Sequence, residues 1–470
     1  MKLNRAAVHW LQSQIDKLGN IRVTQEELDY LRRTCWYMNE PYLRFLSTFS
    51  LRPSEQVKLD FTPDNDTGSD EDVGAIDLTT YGLWLETILY EIPLLALVSE
   101  AYFKFVDKDW DHGGQLEKAR QKGSTLLQGG CIFSEFGSRR RRDYHTHDIV
   151  IKGLKQARND AEAKGWTGKL AGTSNVHFAM KHDIPPVGTV AHEWFMGCAA
   201  ITDDYEGANE TAIRYWVATF GEGVSDSTRK VIKTGSNRLL QVLGVALTDT
   251  FGTSNFLKAF AKPIPSYTSA EQGSAAVAPS VAASTTIPAT GTLSETEPPI
   301  HAPIQQRKEQ QKQTRYADVF TGVRQDSGNP EDFVTMMRQF YDSIGLKEKK
   351  TIVFSDSLNI ELCFRYKAAA EKEGFQPSFG VGTFFTNDFV RKTTGEKSVP
   401  LNIVIKIASV GGRPAVKISD NIGKNTGDKE KVAEVKRRLG YTEKEWAEGD
   451  ERVRWGKEGD KASTVTSERP

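Results

Sequence analysis

Four consecutive arginines, Arg139–Arg142, follow the apolar run Cys131–Phe133 and the step Glu135-Phe136-Gly137 in a chain of net charge −1. A guanidinium is a planar fork matched to carboxylate and phosphate. The stretch therefore reads either as an anion site, with Phe136 as a flat wall for a ring, or as a solvated basic turn. Six further motifs sit at comparable places: Thr173-Ser174-Asn175, Ala191-His192-Glu193, Asp249-Thr250-Phe251-Gly252-Thr253, Arg324-Gln325-Asp326-Ser327-Gly328, Asp356-Ser357 and Gly380-Val381-Gly382-Thr383. Singly, each has a plain explanation. An aspartate after a strand is often a helix N-cap, a lone histidine such as His192 often fills a core, and glycine-rich turns are common. Together, Asp249, Asp326 and Asp356 would converge with Arg139 and Arg324, while Gly380, Gly382 and Thr383 offer backbone donors to a phosphate. Aspartates suit sugar hydroxyls and Mg²⁺, and arginines suit anions. Such a site asks for a phosphorylated, hydroxylated, anionic substrate.

Regular elements must bring these motifs to one rim. Short apolar runs at Cys131–Ser134, Lys169–Gly172, Pro186–Thr189, Leu243–Thr248, Phe320–Arg324, Thr351–Ser355 and Ser378–Gly380 predict seven strands. Helical patterns fall between most of them, at Thr146–Lys164, Ala208–Thr219, Pro330–Ile344 and Leu358–Lys372. Strand–helix alternation predicts parallel strands in βαβ units. Seven strands at this spacing suit an irregular α/β barrel better than an open doubly wound sheet. In such barrels ligands bind at the C-terminal ends of the strands, where all seven motifs lie.

The flanks differ. Residues 1 to about 60 predict helices, one carrying a Val8, Leu11 and Ile15 stripe and one opened by the capping box Thr24-x-x-Glu27. A strand at Ala75–Leu83 precedes an apolar helix, Glu86–Phe105, kinked or split at Pro93. Leu401–Ile407 and Pro414–Ile418 flank Gly411-Gly412 as a hairpin, and Lys429–Leu439 is a helix ended by Gly440. Residues 262–313 are rich in Pro, Ala, Ser, Thr and Gln and cannot bury enough apolar surface to offset their ordering entropy. They are expected to be a disordered insertion, and 456–470 a disordered tail.

Composition bounds the function. At 470 residues and 38% hydrophobic content the chain can build a large core. Near-neutral charge argues against nucleic acid or an anionic membrane as main partner. The cysteines Cys35, Cys131, Cys198 and Cys363 are far apart and read as buried thiols in a reducing compartment, not disulfides or zinc ligands. The longest apolar run, Ile92–Val98, is too short to span a bilayer, and the start is not a signal peptide. A cytoplasmic chain, also able to enter the nucleus, is expected.

The motifs Phe-Ser-Glu-Phe-Gly-Ser-Arg-Arg (133–140), Gly-Thr-Ser-Asn-Val (172–176), Gly-Thr-Val-Ala-His-Glu-Trp (188–194), Leu-Thr-Asp-Thr-Phe-Gly-Thr (247–253) and Val-Arg-Gln-Asp-Ser-Gly (323–328) are jointly specific. With them the chain resembles nicotinate phosphoribosyltransferases of the fungal type, from about Leu3 to about Trp455. The resemblance implies an incomplete seven-stranded α/β barrel over 126–386 and an α+β sandwich-like domain built from both chain ends, 1–125 and 387–455. It implies displacement of pyrophosphate from phosphoribosyl pyrophosphate by the pyridine nitrogen of nicotinate, giving nicotinate mononucleotide in NAD salvage. Phe136 would stack on the ring, Arg139 would hold phosphate or pyrophosphate, and Arg324 the nicotinate carboxylate. Asp249 and Asp326 would engage ribose hydroxyls or Mg²⁺ together with the substrate pyrophosphate. Asp356 would support the site, and Gly380, Gly382 and Thr383 would cradle the 5′-phosphate. His192 would be phosphorylated by ATP, a co-substrate whose hydrolysis drives the transfer, and the protein would be a homodimer with shared sites. Related nicotinamide-using enzymes carry an aspartate at the Ser174 position. A serine hydroxyl can donate to a carboxylate, which favours the acid over the amide. The His192 motif argues likewise against a quinolinate enzyme.

Two departures give further expectations. Family members begin about thirty residues earlier with a strand and an Asp-x-Tyr-Lys motif, whose tyrosine covers the second face of the ring across a dimer interface. A chain starting in the first helix is expected to be unstable or weakly active, and the alternative to an enzyme is a truncated homologue acting through binding. Residues 224–241 interrupt the match as a polar, basic insertion with the look of a retained intron.

Overall fold

The computed structural model describes residues 1–220, 244–265, 314–421 and 424–441. The expectations for 224–241, for most of 262–313 and for the tail lie outside them. Ile264 N donates to Thr314 O (2.8 Å) and Tyr316 N to Lys262 O (3.1 Å). The chain on either side of the 262–313 stretch thus leaves and rejoins the fold at one place.

Six strands form the central parallel sheet: β4 (Ile132–Glu135), β5 (Lys169–Thr173), β6 (Val245–Leu247), β7 (Gly322–Gln325), β8 (Thr351–Phe354) and β9 (Gln376–Val381), in the order β5-β4-β9-β8-β7-β6. Their register sets Glu135 beside Thr173 and Val381, and Arg324 between Leu247 and Val353, so the strand ends share a rim. The third expected strand, Pro186–Thr189, contributes one parallel bridge, Thr173 to Pro186. Pro185 and Pro186 have no N–H to give, so the segment pairs only where Pro185 O and Val187 N meet Thr173.

Helices cover the sheet, and short polar residues start them. Asp143 caps Tyr144–Lys164, Asn175 caps Val176–His182, Asn329 caps Pro330–Ser343 and Asn359 caps Ile360–Lys372. The helix Gln115–Gln128 was not expected from the pattern. Its buried face includes Lys122 and Gly123, which break the apolar stripe, and the Lys122 ammonium is satisfied by Asp388 at 2.6 Å and Phe384 O at 2.6 Å.

Before the sheet, β1 (Lys2–Asn4), β2 (Val57–Pro63) and β3 (Val73–Thr80) form an antiparallel sheet in the order β1-β3-β2. The chain therefore opens as a strand, not within the first helix. Leu3 is fully buried, and Asn4 caps the helix Arg5–Lys17. The capping box at Thr24 is present. The apolar stretch splits into Trp84–Thr87, a 3₁₀ turn and Glu91–Phe105, with Pro93 accommodated in the first turn of the long helix. Leu401–Ile407 joins no ladder among the described residues, yet its alternation is used: Leu401, Ile403 and Ile405 join the apolar cluster that also holds Leu11, Ile15 and Leu94. The hairpin at Gly411-Gly412 joins Ser409–Val410 to Arg413–Pro414, both glycines at positive φ (56° and 78°) as a type I′ turn requires. Lys429–Leu439 ends at Gly440 in the left-handed conformation.

Candidate active site

His192 opens the helix His192–Thr202 and is buried at the rim. Its Nδ1 meets Thr250 Oγ1 at 3.0 Å, and its Nε2 meets Asp326 Oδ2 at 2.8 Å and Lys417 Nζ at 2.9 Å. Asp249 Oδ1 lies 3.8 Å from the same nitrogen and has no hydrogen-bond partner despite being buried. Burial, reinforced by the Lys417 ammonium, lowers the His192 pKa below its ordinary value against the pull of Asp249 and Asp326. The ring is therefore held neutral, with a lone pair on one nitrogen. For Asp326 burial opposes ionisation, but Arg324 and His192 outweigh it and hold the carboxyl well below the usual range.

Arg324, on β7, is braced on three sides. Nη2 donates to Asp326 Oδ1 (2.8 Å), Nε to Ser355 Oγ (2.8 Å) and Nη1 to Thr189 Oγ1 (2.9 Å). Ser355 Oγ in turn reaches Asp326 Oδ1 at 2.7 Å. Thr189 also lines a cavity of about 760 Å³ whose wall includes Phe136, Val187 and Gly380 and runs back to the strand starts at Lys169, Val245, Thr351 and Gln376, so the charged cluster meets this cavity at Thr189. A side chain at Gly380 would come within 2.5 Å of the Phe136 ring, and one at Gly382 within 3.1 Å of Phe136 O. Gly380 thus leaves room for the ring and Gly382 for the Phe136 backbone. Thr383 begins the turn of helix after Gly382, and Ser174 is exposed, its N–H donating to Glu135 O at 2.8 Å. Arg139 lies in the 3₁₀ turn Ser138–Arg140 just past Phe136. Asp356 is buried at the end of β8 and accepts from Lys424 Nζ at 2.7 Å.

The basic run divides. Arg140 reaches Asn402 at 2.7 Å, while Arg142 is fully buried among Phe103 (3.6 Å), Phe389 (4.2 Å) and Trp110 (5.1 Å), a packing role.

Sequence reasoning missed Lys417, Lys424 and Asp420. Lys417 is a lone cation inside the apolar run Ala415-Val416-Lys417-Ile418, and that placement was the available signal. Ile418 N and Ser419 N donate to Thr250 O, and Asp420 N to Ser327 Oγ, whose hydroxyl donates to Asp249 Oδ2. The segment is thus tied to two strand ends at once. Asp420 accepts from Thr253 N at 2.8 Å, and burial, with Asp249 nearby, pushes its carboxyl up to about 7.

His192, Asp249 and Asp326 offer ligand atoms within 4.8 Å of one another. They do not fit a protein-held Mg²⁺. The Lys417 ammonium already stands 2.9 Å from His192 Nε2 and 3.6 Å from Asp249 Oδ2, and imidazole is a poor ligand for that hard cation.

Residues 131–270 and 295–443 match the model of the nicotinate phosphoribosyltransferase (NAPRTase) family, and residues 1–99 that of its N-terminal domain. The nicotinate phosphoribosyltransferase of Saccharomyces cerevisiae is 40% identical over 460 residues, 97% of this chain and 90% of the relative. A crystal structure of a Saccharomyces cerevisiae chain, provisionally named a nicotinate phosphoribosyltransferase, superposes with a TM-score of 0.74 at 38% identity, covering 94% of this chain and 89% of that one. The enzyme of that name from Vibrio cholerae gives 0.67 at 26% identity, covering 94% and 88%.

Proposed function

The chain belongs to the nicotinate phosphoribosyltransferase family, and from that premise we propose how the rim of its parallel sheet does the family's chemistry. The reaction joins the pyridine nitrogen of nicotinate to the anomeric carbon of phosphoribosyl pyrophosphate and expels pyrophosphate. The observation that carries the reading is the His192–Asp326–Arg324 chain of contacts opening, through Thr189, onto the cavity walled by Phe136.

In this reading nicotinate lies on Phe136. Arg324 exchanges part of its bracing for the nicotinate carboxylate, and the Ser174 hydroxyl donates to the same group. Arg139 takes phosphate or pyrophosphate. Cleavage of the anomeric bond leaves positive charge on the ribose, beside which Asp249 and Asp326 supply negative charge and acceptors for the hydroxyls. Asp356, neutralised by Lys424, holds the end of β8 in place, and the Gly382–Thr383 turn faces the 5′-phosphate. Magnesium belongs to the substrate here, as the partner of its pyrophosphate. His192, kept neutral, is the acceptor of the ATP phosphoryl group, and hydrolysis of that phosphohistidine drives the transfer. Four buried free cysteines suit a reducing cytoplasm, with entry to the nucleus open. No helix among the described residues is long and apolar enough to cross a membrane. The working form is a homodimer with shared sites, and the apolar side chains exposed at Tyr81, Leu83 and Leu85 suit a covered surface.

The test is formation of nicotinate mononucleotide by the purified chain from nicotinate and phosphoribosyl pyrophosphate, with and without ATP. Product whose yield rises with ATP is expected, and no product under either condition overturns the reading. Specificity gives a second expectation. Ser174→Asp places a carboxylate against the nicotinate carboxylate, a like-charge contact that costs several kcal/mol, so kcat/KM for nicotinate should fall roughly 10²–10³-fold. Nicotinamide, which can donate to the new aspartate, should gain. Unchanged preference would remove Ser174 from the recognition of the acid.

A further inference from the structure

Glu135 ends β4 and is fully buried beneath the rim, a place where an ionised carboxylate survives only if it is paired. Its contacts reach two different loops. Oε1 accepts from Gly137 N, just past the Phe136 platform. Oε2 accepts from Thr173 Oγ1 at 2.5 Å, and the Glu135 carbonyl accepts from Ser174 N at 2.8 Å. His147, equally buried on the helix Tyr144–Lys164, places Nε2 2.9 Å from Oε2, off the hydrogen-bond line. Burial opposes the charge on Glu135, yet His147, Thr173 and Gly137 together hold its pKa below the ordinary value.

The two loops are also linked by Asn175 Nδ2, which donates to Ser138 Oγ at 3.0 Å, and by neighbouring strands. The fit around the carboxylate is tight. A side chain at Gly137 would come within 2.7 Å of Glu135 Oε1 and 2.3 Å of Thr386 Oγ1, so the position that receives the carboxylate has no spare room. Phe136 N donates to Val381 O at 2.8 Å and Thr386 Oγ1 to Gly137 O at 2.9 Å, which fixes the far side of the same loop. Only the near side depends on Glu135.

We propose that Glu135 is a positioning residue for base recognition: its buried carboxylate fixes the distance between the ring platform, Phe136, and the acid-reading loop of Ser174. The proposal rests on the placement of nicotinate given above. Glu135 does not touch substrate; it acts through Gly137 and through Thr173 and Ser174. Its loss therefore loosens nicotinate most and phosphoribosyl pyrophosphate less, since among that substrate's proposed ligands Arg139 shares the loop.

Steady-state kinetics on Glu135→Met, Glu135→Gln and Thr173→Val test this, with Phe136→Ala as reference. Glu135→Met removes both acceptors and should raise KM for nicotinate about ten- to a hundredfold, the size of one or two hydrogen bonds to a charged group. KM for phosphoribosyl pyrophosphate, to which Arg139 of this loop contributes, should rise by a clearly smaller factor. Glu135→Gln keeps an acceptor for Gly137 N and a polar partner for Thr173, so it should recover most of the loss. Thr173→Val, which removes one donor and leaves the carboxylate paired elsewhere, should raise KM for nicotinate several-fold, and it decides the matter if Glu135→Met fails to fold. Folded variants whose nicotinate KM is unchanged, or whose two KM values and kcat move together, overturn the proposal. Phe136→Ala separates the two levels. If it raises nicotinate KM while the Glu135 and Thr173 variants do not, this inference alone fails. If Phe136→Ala also has no effect, the placement of nicotinate fails with it.

Discussion

His192→Asn is expected to uncouple the enzyme from ATP while leaving a folded protein. Asparagine carries a donor and an acceptor, so it can keep part of the contact with Thr250, Asp326 and Lys417, and one residue at a helix start changes little of the core. What it lacks is a nitrogen lone pair able to attack phosphorus. In the proposed step the lone pair of one ring nitrogen would form the N–P bond while the bond from the terminal phosphorus to the bridging oxygen breaks and ADP leaves with that electron pair; water would later attack the phosphorus and return the pair to the ring. ATP hydrolysis should therefore fall by roughly 10²–10⁴-fold in the variant. Acid-labile, alkali-stable labelling from γ-labelled ATP should vanish. Transfer to nicotinate without ATP should persist at high substrate, because the ring platform and Arg324 remain. A variant that still consumes ATP for each product formed would remove His192 from the coupling step.

The strand–helix alternation was legible because parallel strands are buried on both faces and read as short apolar runs. Six of the seven runs became strands of one parallel sheet, and the third, Pro186–Thr189, failed for a chemical reason, the two prolines at 185 and 186. The helix Gln115–Gln128 was hidden because a buried lysine interrupts its stripe. Among the site residues, those next to strand ends were visible, since the ends of parallel strands must be polar where ligands meet them. Lys417 and Lys424 were not. They come from a segment far along the chain whose backbone N–H groups bond Thr250 and Ser327, and no local pattern encodes a contact between residues 93 or more apart in sequence. Gly380 has a second reason for its identity that no local pattern shows: an aromatic ring occupies the space a side chain would need.

Lys417→Met should destabilise the protein in a pH-dependent way, and the sign follows from Asp249. That carboxyl is buried, which alone would raise its pKa, but Lys417 and His192 hold it below the ordinary value. A depressed carboxylate contributes stability above its unfolded pKa of roughly 4 and loses it as pH falls through the folded value. Without the ammonium at 3.6 Å, burial is opposed chiefly by the Ser327 hydroxyl, and Asp326 adds repulsion. The folded-state pKa then rises above the unfolded one, and ionising Asp249 at higher pH strands a charge in the interior. Breaking a buried pair in this manner costs about 3–5 kcal/mol. The backbone ties of Ile418 and Ser419 to Thr250 do not depend on the lysine head group, so the segment should stay docked. The difference in Tm between wild type and variant should therefore widen from about pH 5, where Asp249 can take a proton in the variant, to about pH 8, where it is driven to ionise. Loss of Lys417 also removes the second-largest influence keeping His192 neutral, so the acid limb of the ATP-dependent rate should move to higher pH. Lys417→Arg, which restores the charge, should reverse both shifts in part. A Tm gap that is the same at both ends of the range would mean that Lys417 contributes by packing alone, and that the charge balance of the His192 cluster is set elsewhere.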